Sequence, residues 1–170
     1  MKRLILLRHA KAESKNAPRD FDRKLAPRGR SDMVLLAEFM TTSALRPDLA
    51  FVSPAARTRE TWGLAALPDV PTTFPDAIYD ASPETLLDLV RAIPGEAASA
   101  ILVGHNPGIE ELAQSLVART PRSDLVRLAS GMPTAALAVI DLDTESWRDI
   151  KPGSGRLASF ETPETLGSRE

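Results

Sequence analysis

At 170 residues the chain fits one domain, long enough to bury roughly 70% of the surface its unfolded form would expose. It contains no Cys, which excludes thiol catalysis, Cys-ligated zinc and a disulfide framework, and fits a reducing, cytoplasmic setting. Its net charge of −2 comes from 21 basic and 23 acidic residues that are well mixed, so it has no broad basic field for nucleic acid, and no apolar stretch approaches the ~20 residues of a membrane span.

Met1-Lys2-Arg3 runs directly into a strand-like segment, Arg3 to Leu7, with no signal-peptide cleavage pattern. The spacing of Met33, Leu36, Ala37 and Met40 predicts a helix from about Pro27 to Ser43 with one buried face. Strands are expected at Leu49 to Val52, at Thr72 to Ile78 and at Ala100 to Val103, the second of these shortened or pushed to an edge by Pro75. Ser53-Pro54, Ser82-Pro83 and Asn106-Pro107 each read as an N-cap oxygen followed by proline at the first helical position. A helix from Pro107 to Val117 follows, then a polar loop from Arg119 to Ser130. Thr134 to Leu142 and Trp147 to Ile150 read as a hairpin, and Arg156 to Glu161 as an edge strand. Alternation of strands and helices argues for an α/β domain with a mostly parallel sheet, over residues 1–162, with a fraying tail at 163–170.

The chain's only two histidines follow predicted strands: His9 after Leu4-Ile5-Leu6-Leu7-Arg8, and His105 after Ile101-Leu102-Val103-Gly104. Ligands bind beyond the carboxyl ends of strands in open α/β sheets, so two of two at that place point to function. Arg57 would lie in the first turn after the strand Leu49 to Val52, with Arg8 and both histidines on one rim; Arg59 is the substitute for it. Guanidinium matches phosphate oxygens bidentately and keeps its charge, so the set suits a phosphoryl group attacked by one imidazole. A metal site on His9 and His105 is the competing reading. It is disfavoured by the adjacent arginine and by the lack of a carboxylate within about three positions of either histidine.

Arg8-His9, Ser53-Pro54 with Arg57 and Glu60-Thr61, and Gly104-His105-Asn106 resemble the histidine phosphatase superfamily. Within it, Leu7-Arg8-His9-Ala10-Lys11-Ala12-Glu13, Asp22-Arg23-Lys24-Leu25 with Arg28-Gly29, Ile78-Tyr79-Asp80-Ala81 and Val103-Gly104-His105-Asn106-Pro107 resemble the small SixA-type phosphohistidine phosphatases. Two departures stand out: Ala10 where the family usually has glycine, and Ala26 where a helix-capping hydroxyl is often found.

The resemblance implies a phosphoglycerate mutase-like, three-layer α/β/α domain. It implies that His9 is the nucleophile, that a phosphohistidine intermediate forms and is hydrolysed, and that no metal or other cofactor is needed. Arg8, Arg57, His105 and Asn106 would bind the phosphoryl group, with Asp80 as the leaving-group acid and Glu84 second in line. The expected substrate is a phosphohistidine-containing protein. The rivals are a phosphatase or mutase for small phosphate esters and a non-catalytic phosphoprotein-binding module.

Overall fold

The computed structural model describes residues 1–14, 19–118 and 120–167. Six strands form one sheet: β1 (Lys2–Arg8), β2 (Leu49–Val52), β3 (Thr72–Thr73), β4 (Ser99–Gly104), β5 (Leu137–Leu142) and β6 (Gly155–Glu161), in the order β3-β2-β4-β1-β5-β6. β3, β2, β4 and β1 run parallel, while β5 is antiparallel to both β1 and β6. The sheet is therefore mostly parallel with an antiparallel arm.

Leu4, Ile5, Leu6 and Leu7 are all buried, as expected of a central strand covered on both faces. Successive side chains of a strand point to opposite faces, and here they enter two separate cores. Leu4 and Leu6 pack with Leu86 and Val90 of α3 (Pro83–Arg91) and with Ile109, Leu112 and Leu116 of α4 (Gly108–Leu116). Ile5 and Leu7 pack with Met33, Leu36 and Met40 of α1 (Pro27–Thr42) and Trp62 of α2 (Ala56–Leu64). Each fully buried side chain of this size stabilises by roughly 1.5–3 kcal/mol before entropy is counted. The result is a three-layer α/β/α sandwich.

Several elements depart from the sequence-based reading. The strand expected over Thr72 to Ile78 is only two residues long. Pro75 lacks an N–H for the ladder, and Asp76–Ile78 winds into a 3-10 turn that buries Ile78. The polar stretch expected to be a loop contains a further helix, α5 (Arg122–Ala129), which follows Pro121 and seats Leu128 in the core. Its inward-facing apolar residues, Leu125 and Leu128, are too few to announce a buried stripe. Trp147 to Ile150 is no hairpin arm: Trp147–Asp149 is a 3-10 turn that drives the indole inward, where its Nε1–H donates to the Ala97 carbonyl at 2.8 Å. The partner of β5 is β6, with an irregularity between Val139 and Ile140.

Of the three proposed caps only Ser82 acts as one, accepting from the Thr85 N–H at 3.2 Å. α2 begins at Ala56 and α4 at Gly108, so Ser53 and Asn106 stand just outside and use their side chains otherwise. Over its described part, the stretch expected to fray is tied down. The Thr162 N–H donates to Thr165 Oγ1 at 2.8 Å, the Leu166 N–H to the Thr162 carbonyl at 3.0 Å, and Leu166 packs on the core.

Candidate active site

β1 and β4 pair in parallel with Arg8 opposite Gly104, so the residues that follow, His9 and His105, emerge side by side beyond the carboxyl ends of adjacent strands. Their ring centroids are 5.4 Å apart. The His9 N–H donates to the Gly104 carbonyl at 3.1 Å, and the His9 carbonyl accepts from the Ala135 N–H at 3.0 Å. The Ala10 N–H donates to Thr61 Oγ1 at 3.0 Å, and that hydroxyl donates to the Arg57 carbonyl at 2.7 Å. The nucleophile candidate is thus held by two main-chain bonds of its own, and the Thr61 hydroxyl under Ala10 ties α2 to the same loop.

Both imidazoles have defined partners. His9 Nδ1 lies 2.8 Å from the Ala10 carbonyl, which can only accept, so Nδ1 carries the proton and Nε2 keeps its lone pair. His105 Nε2 shares a 2.7 Å hydrogen bond with the fully buried Ser53 hydroxyl. Burial, with Arg57 and Arg8 adding repulsion, lowers His9 to about 4. Burial and Arg57 lower His105 to about 3. Both rings are therefore neutral at pH 7.

Arg8 and Arg57 border the same cleft, of about 360 Å³, with Lys11 and Arg23 adding positive charge and Asp80 a carboxylate. Arg8 Nη1 donates to the Met132 carbonyl at 3.0 Å. The Arg57 side chain is buried; its Nη1 donates to the Asp20 carbonyl at 2.8 Å and its Nη2 to Asp20 Oδ2 at 3.0 Å. Among the described residues, four buried side-chain polar atoms have no hydrogen-bond partner: Arg8 Nε, Arg57 Nε, His105 Nδ1 and Asn106 Oδ1. All four side chains line this cleft. An unsatisfied buried polar group costs about 1–3 kcal/mol, and the two guanidinium N–H donors, joined by His105 Nδ1 when the Ser53 hydroxyl donates to Nε2, form an open cradle for an oxyanion.

The structure brings together His9, Arg8, Arg57, His105, Asn106 and Asp80. Asp80 is exposed at the rim, where it has a positive φ of 54°. Glu84 is exposed in the first turn of α3, outside the cleft lining. Arg59 turns away, its Nε donating to the Pro54 carbonyl at 2.8 Å and its guanidinium stacked 4.0 Å over the Phe74 ring. The Asn106 amide nitrogen is spent on Glu110 Oε2 at 2.7 Å and the Met132 carbonyl at 2.9 Å, so it holds the β4–α4 turn and offers the cleft no free N–H. Four participants were missed by the sequence reading: Ser53 as partner of His105, Thr61 under Ala10, and Asp20 with Tyr79. The Tyr79 hydroxyl donates to Asp20 Oδ2 at 2.7 Å, and its ring meets His105 edge-on at 5.5 Å. No local pattern in the chain signals these contacts, because each joins residues far apart in sequence.

Among the described residues there is no group of three or more His, Cys, Asp or Glu side chains able to hold a metal ion. The donor set at the strand ends is a cationic one that suits an anion.

An α/β sandwich with paired imidazoles and guanidinium groups at its strand ends defines a phosphoryl-transfer site. Comparison with known proteins agrees. The sequence pattern of the histidine phosphatase superfamily (branch 1) matches residues 4–81. A structure assigned as the phosphohistidine phosphatase SixA of Agrobacterium tumefaciens is 35% identical, with a TM-score of 0.80 over 95% of this chain and 98% of that one. The protein histidine phosphatase SixA complexed with tungstate shares the fold at 22% identity and a TM-score of 0.76, over 96% of this chain and 99% of that one. An uncharacterized Mycobacterium tuberculosis protein is 28% identical over 159 residues, which cover 92% of this chain and 99% of that protein. The chain belongs to the histidine phosphatase superfamily, in its SixA-type branch, and by class it is a metal-independent phosphatase.

Proposed function

We propose that this protein dephosphorylates a phosphohistidine-containing protein through a covalent phosphohistidine intermediate on His9. The observation that carries the reading is the pairing of a neutral imidazole whose Nε2 lone pair is free with three buried, unpartnered nitrogens on Arg8, Arg57 and His105, two of them guanidinium donors. In the first step Nε2 of His9 attacks phosphorus, the bond to the leaving group breaks, and the leaving group departs with the electron pair and takes up a proton. In the second, water attacks the phosphorus, the P–N bond breaks with its electron pair returning to Nε2, and the proton the water sheds passes to solvent as inorganic phosphate leaves. The phosphoryl oxygens keep their charge throughout, so preorganised donors serve both steps. Asp80 is the acid for leaving groups that need one. A phosphoramidate makes little demand on it, because its departing nitrogen is readily protonated.

Access supports a macromolecular substrate. The cleft adjoins a groove of about 620 Å³ that shares Arg8 and Asn106 with it, so a segment flanking the phosphorylated side chain has room beside the reacting centre. The SixA assignment of the 35% identical structure points the same way.

Brief incubation with labelled substrate in the presence of a chelator tests the reading. Acid-labile, base-stable label is expected on His9, and label on His105 would reverse the roles. A small phosphate ester is the second reading, favoured by the exposed Asp80 carboxylate on the rim. A much higher kcat/KM on sugar phosphates or phosphoglycerates than on phosphohistidine protein would install it.

A further inference from the structure

A 3-10 turn, Asp20–Asp22, packs against Arg57 of the cleft, and its first residue is the hub of a polar network. Asp20 meets Arg57 twice, the main-chain carbonyl accepting from Nη1 at 2.8 Å and the carboxylate from Nη2 at 3.0 Å. The same carboxylate accepts from the Tyr79 hydroxyl at 2.7 Å through Oδ2 and from Arg23 Nε at 3.0 Å through Oδ1.

Guanidinium has five N–H donors in a planar fork. Asp20 occupies one hydrogen on each terminal nitrogen, which is the end-on edge of the group. The side edge, formed by Nε and the second hydrogen of Nη2, is left over, and Nε is the buried atom of Arg57 that has no partner. Arg57 therefore need not release Asp20 to receive an oxyanion.

We propose that Asp20 is a positioning residue for Arg57, gripping the guanidinium end-on through carbonyl and carboxylate together so that its Nε edge is presented to the phosphoryl group. This rests on the reading that Arg57 holds that group. The alternative is a plug, in which the Asp20 carboxylate imitates substrate and must leave before phosphate binds. Displacement would cost the Tyr79 hydroxyl and both terminal nitrogens of Arg57 their Asp20 partner at once, while Arg23 would keep only its Nη1 bond to the Glu13 carbonyl at 2.8 Å. An incoming phosphate would re-pair only those on Arg57. The network favours a fixed grip.

The two models predict opposite signs. With p-nitrophenyl phosphate as probe, Asp20→Ala is expected to lower kcat by roughly 10- to 100-fold, as misplacement of a charge-stabilising group does, with KM changed by less than about 3-fold. If Asp20 acts through Arg57, the double variant Asp20→Ala/Arg57→Ala is no slower than Arg57→Ala alone. Asp20→Asn keeps the main-chain carbonyl and one side-chain oxygen and should recover most of the rate. Should Asp20→Ala fail to fold, the smaller loss in Asp20→Asn must likewise vanish in the Arg57→Ala background. A rise in kcat/KM on removing the carboxylate would overturn the proposal in favour of the plug. Losses that multiply in the double variant would overturn it in favour of a role elsewhere in the fold. An Arg57→Ala variant with unaltered rate would instead remove the assignment of the phosphoryl group to Arg57, and this inference with it.

Discussion

A nucleophilic imidazole must be neutral, and burial beside three arginines should keep His9 neutral far into acid. An ordinary imidazole, with a pKa of about 6.5, is neutral in only about one molecule in eleven at pH 5.5. His9, lowered to about 4 by burial and by Arg57, Arg8 and Arg23, should be more than nine-tenths neutral there. The acid limb of kcat/KM should therefore fall near pH 4 once the substrate's own ionisation near pH 6 is divided out, a gain of roughly tenfold at pH 5.5 over an unperturbed histidine. Because the chain has two histidines only, the microscopic check is direct. Neither imidazole C–H resonance should move by more than about a tenth of its full titration shift between pH 5 and 8 in a proton NMR titration. A resonance that titrates with a midpoint near 6.5 and is lost in His9→Ala would refute the reasoning, since it would mean that water reaches His9 freely.

Arg57→Ala should cost roughly 10² to 10³ in kcat, the usual loss for one preorganised donor, whereas Arg59→Ala should stay within about threefold; equal losses in steady-state assays would undo the distinction. Asp80→Asn should slow an alkyl phosphate by roughly 10² to 10⁴ and leave an aryl phosphate and phosphohistidine largely unaffected, so a uniform loss across the three substrates would remove Asp80 as the acid. Conformational stability should be flat above about pH 6.5 and fall as pH drops from there through about 4 and then 3, because the unfolded chain takes up protons that buried His9 and His105 refuse; urea melts between pH 4 and 8 would reveal a stability that fails to decline. Gly29→Ala should destabilise despite alanine's better helix propensity, since a Cβ there would collide with the Lys11 carbonyl; an unchanged melting temperature would show that the loop after His9 yields freely.

Both histidines, Arg8 and Arg57 were legible because each adjoins an apolar run that can only be a buried strand, and strand ends gather at one rim. The central helices were legible for the same reason: Met33, Leu36 and Met40 repeat at the spacing of one face. Elements held by long-range contacts and not by a local pattern were not. Trp147 looks like a strand residue until its indole is seen to reach the Ala97 carbonyl, and α5 has too short an apolar stripe to stand out from a polar loop. Ser53 illustrates the limit within the site. Its place before proline suggests a cap, yet its hydroxyl goes to His105 across the rim, a partner that no spacing rule encodes. Asp20 escaped notice similarly, as one acid among many on a charged surface until Arg57 folds against it.

The pairing of Arg8 with Gly104 also makes catalysis a gauge of folding. The two imidazoles belong to strands contributed by opposite halves of the chain, and only one alignment sets them beside each other. A slip of a single residue would exchange the faces to which the side chains of one strand point and separate the rings. No fragment ending before β4, and no collapsed state with β1 and β4 unpaired, can contain the site. Turnover regained during refolding should consequently lag behind helix formation and coincide with burial of the central strands, so that an activity assay reports the last cooperative step in building the sheet.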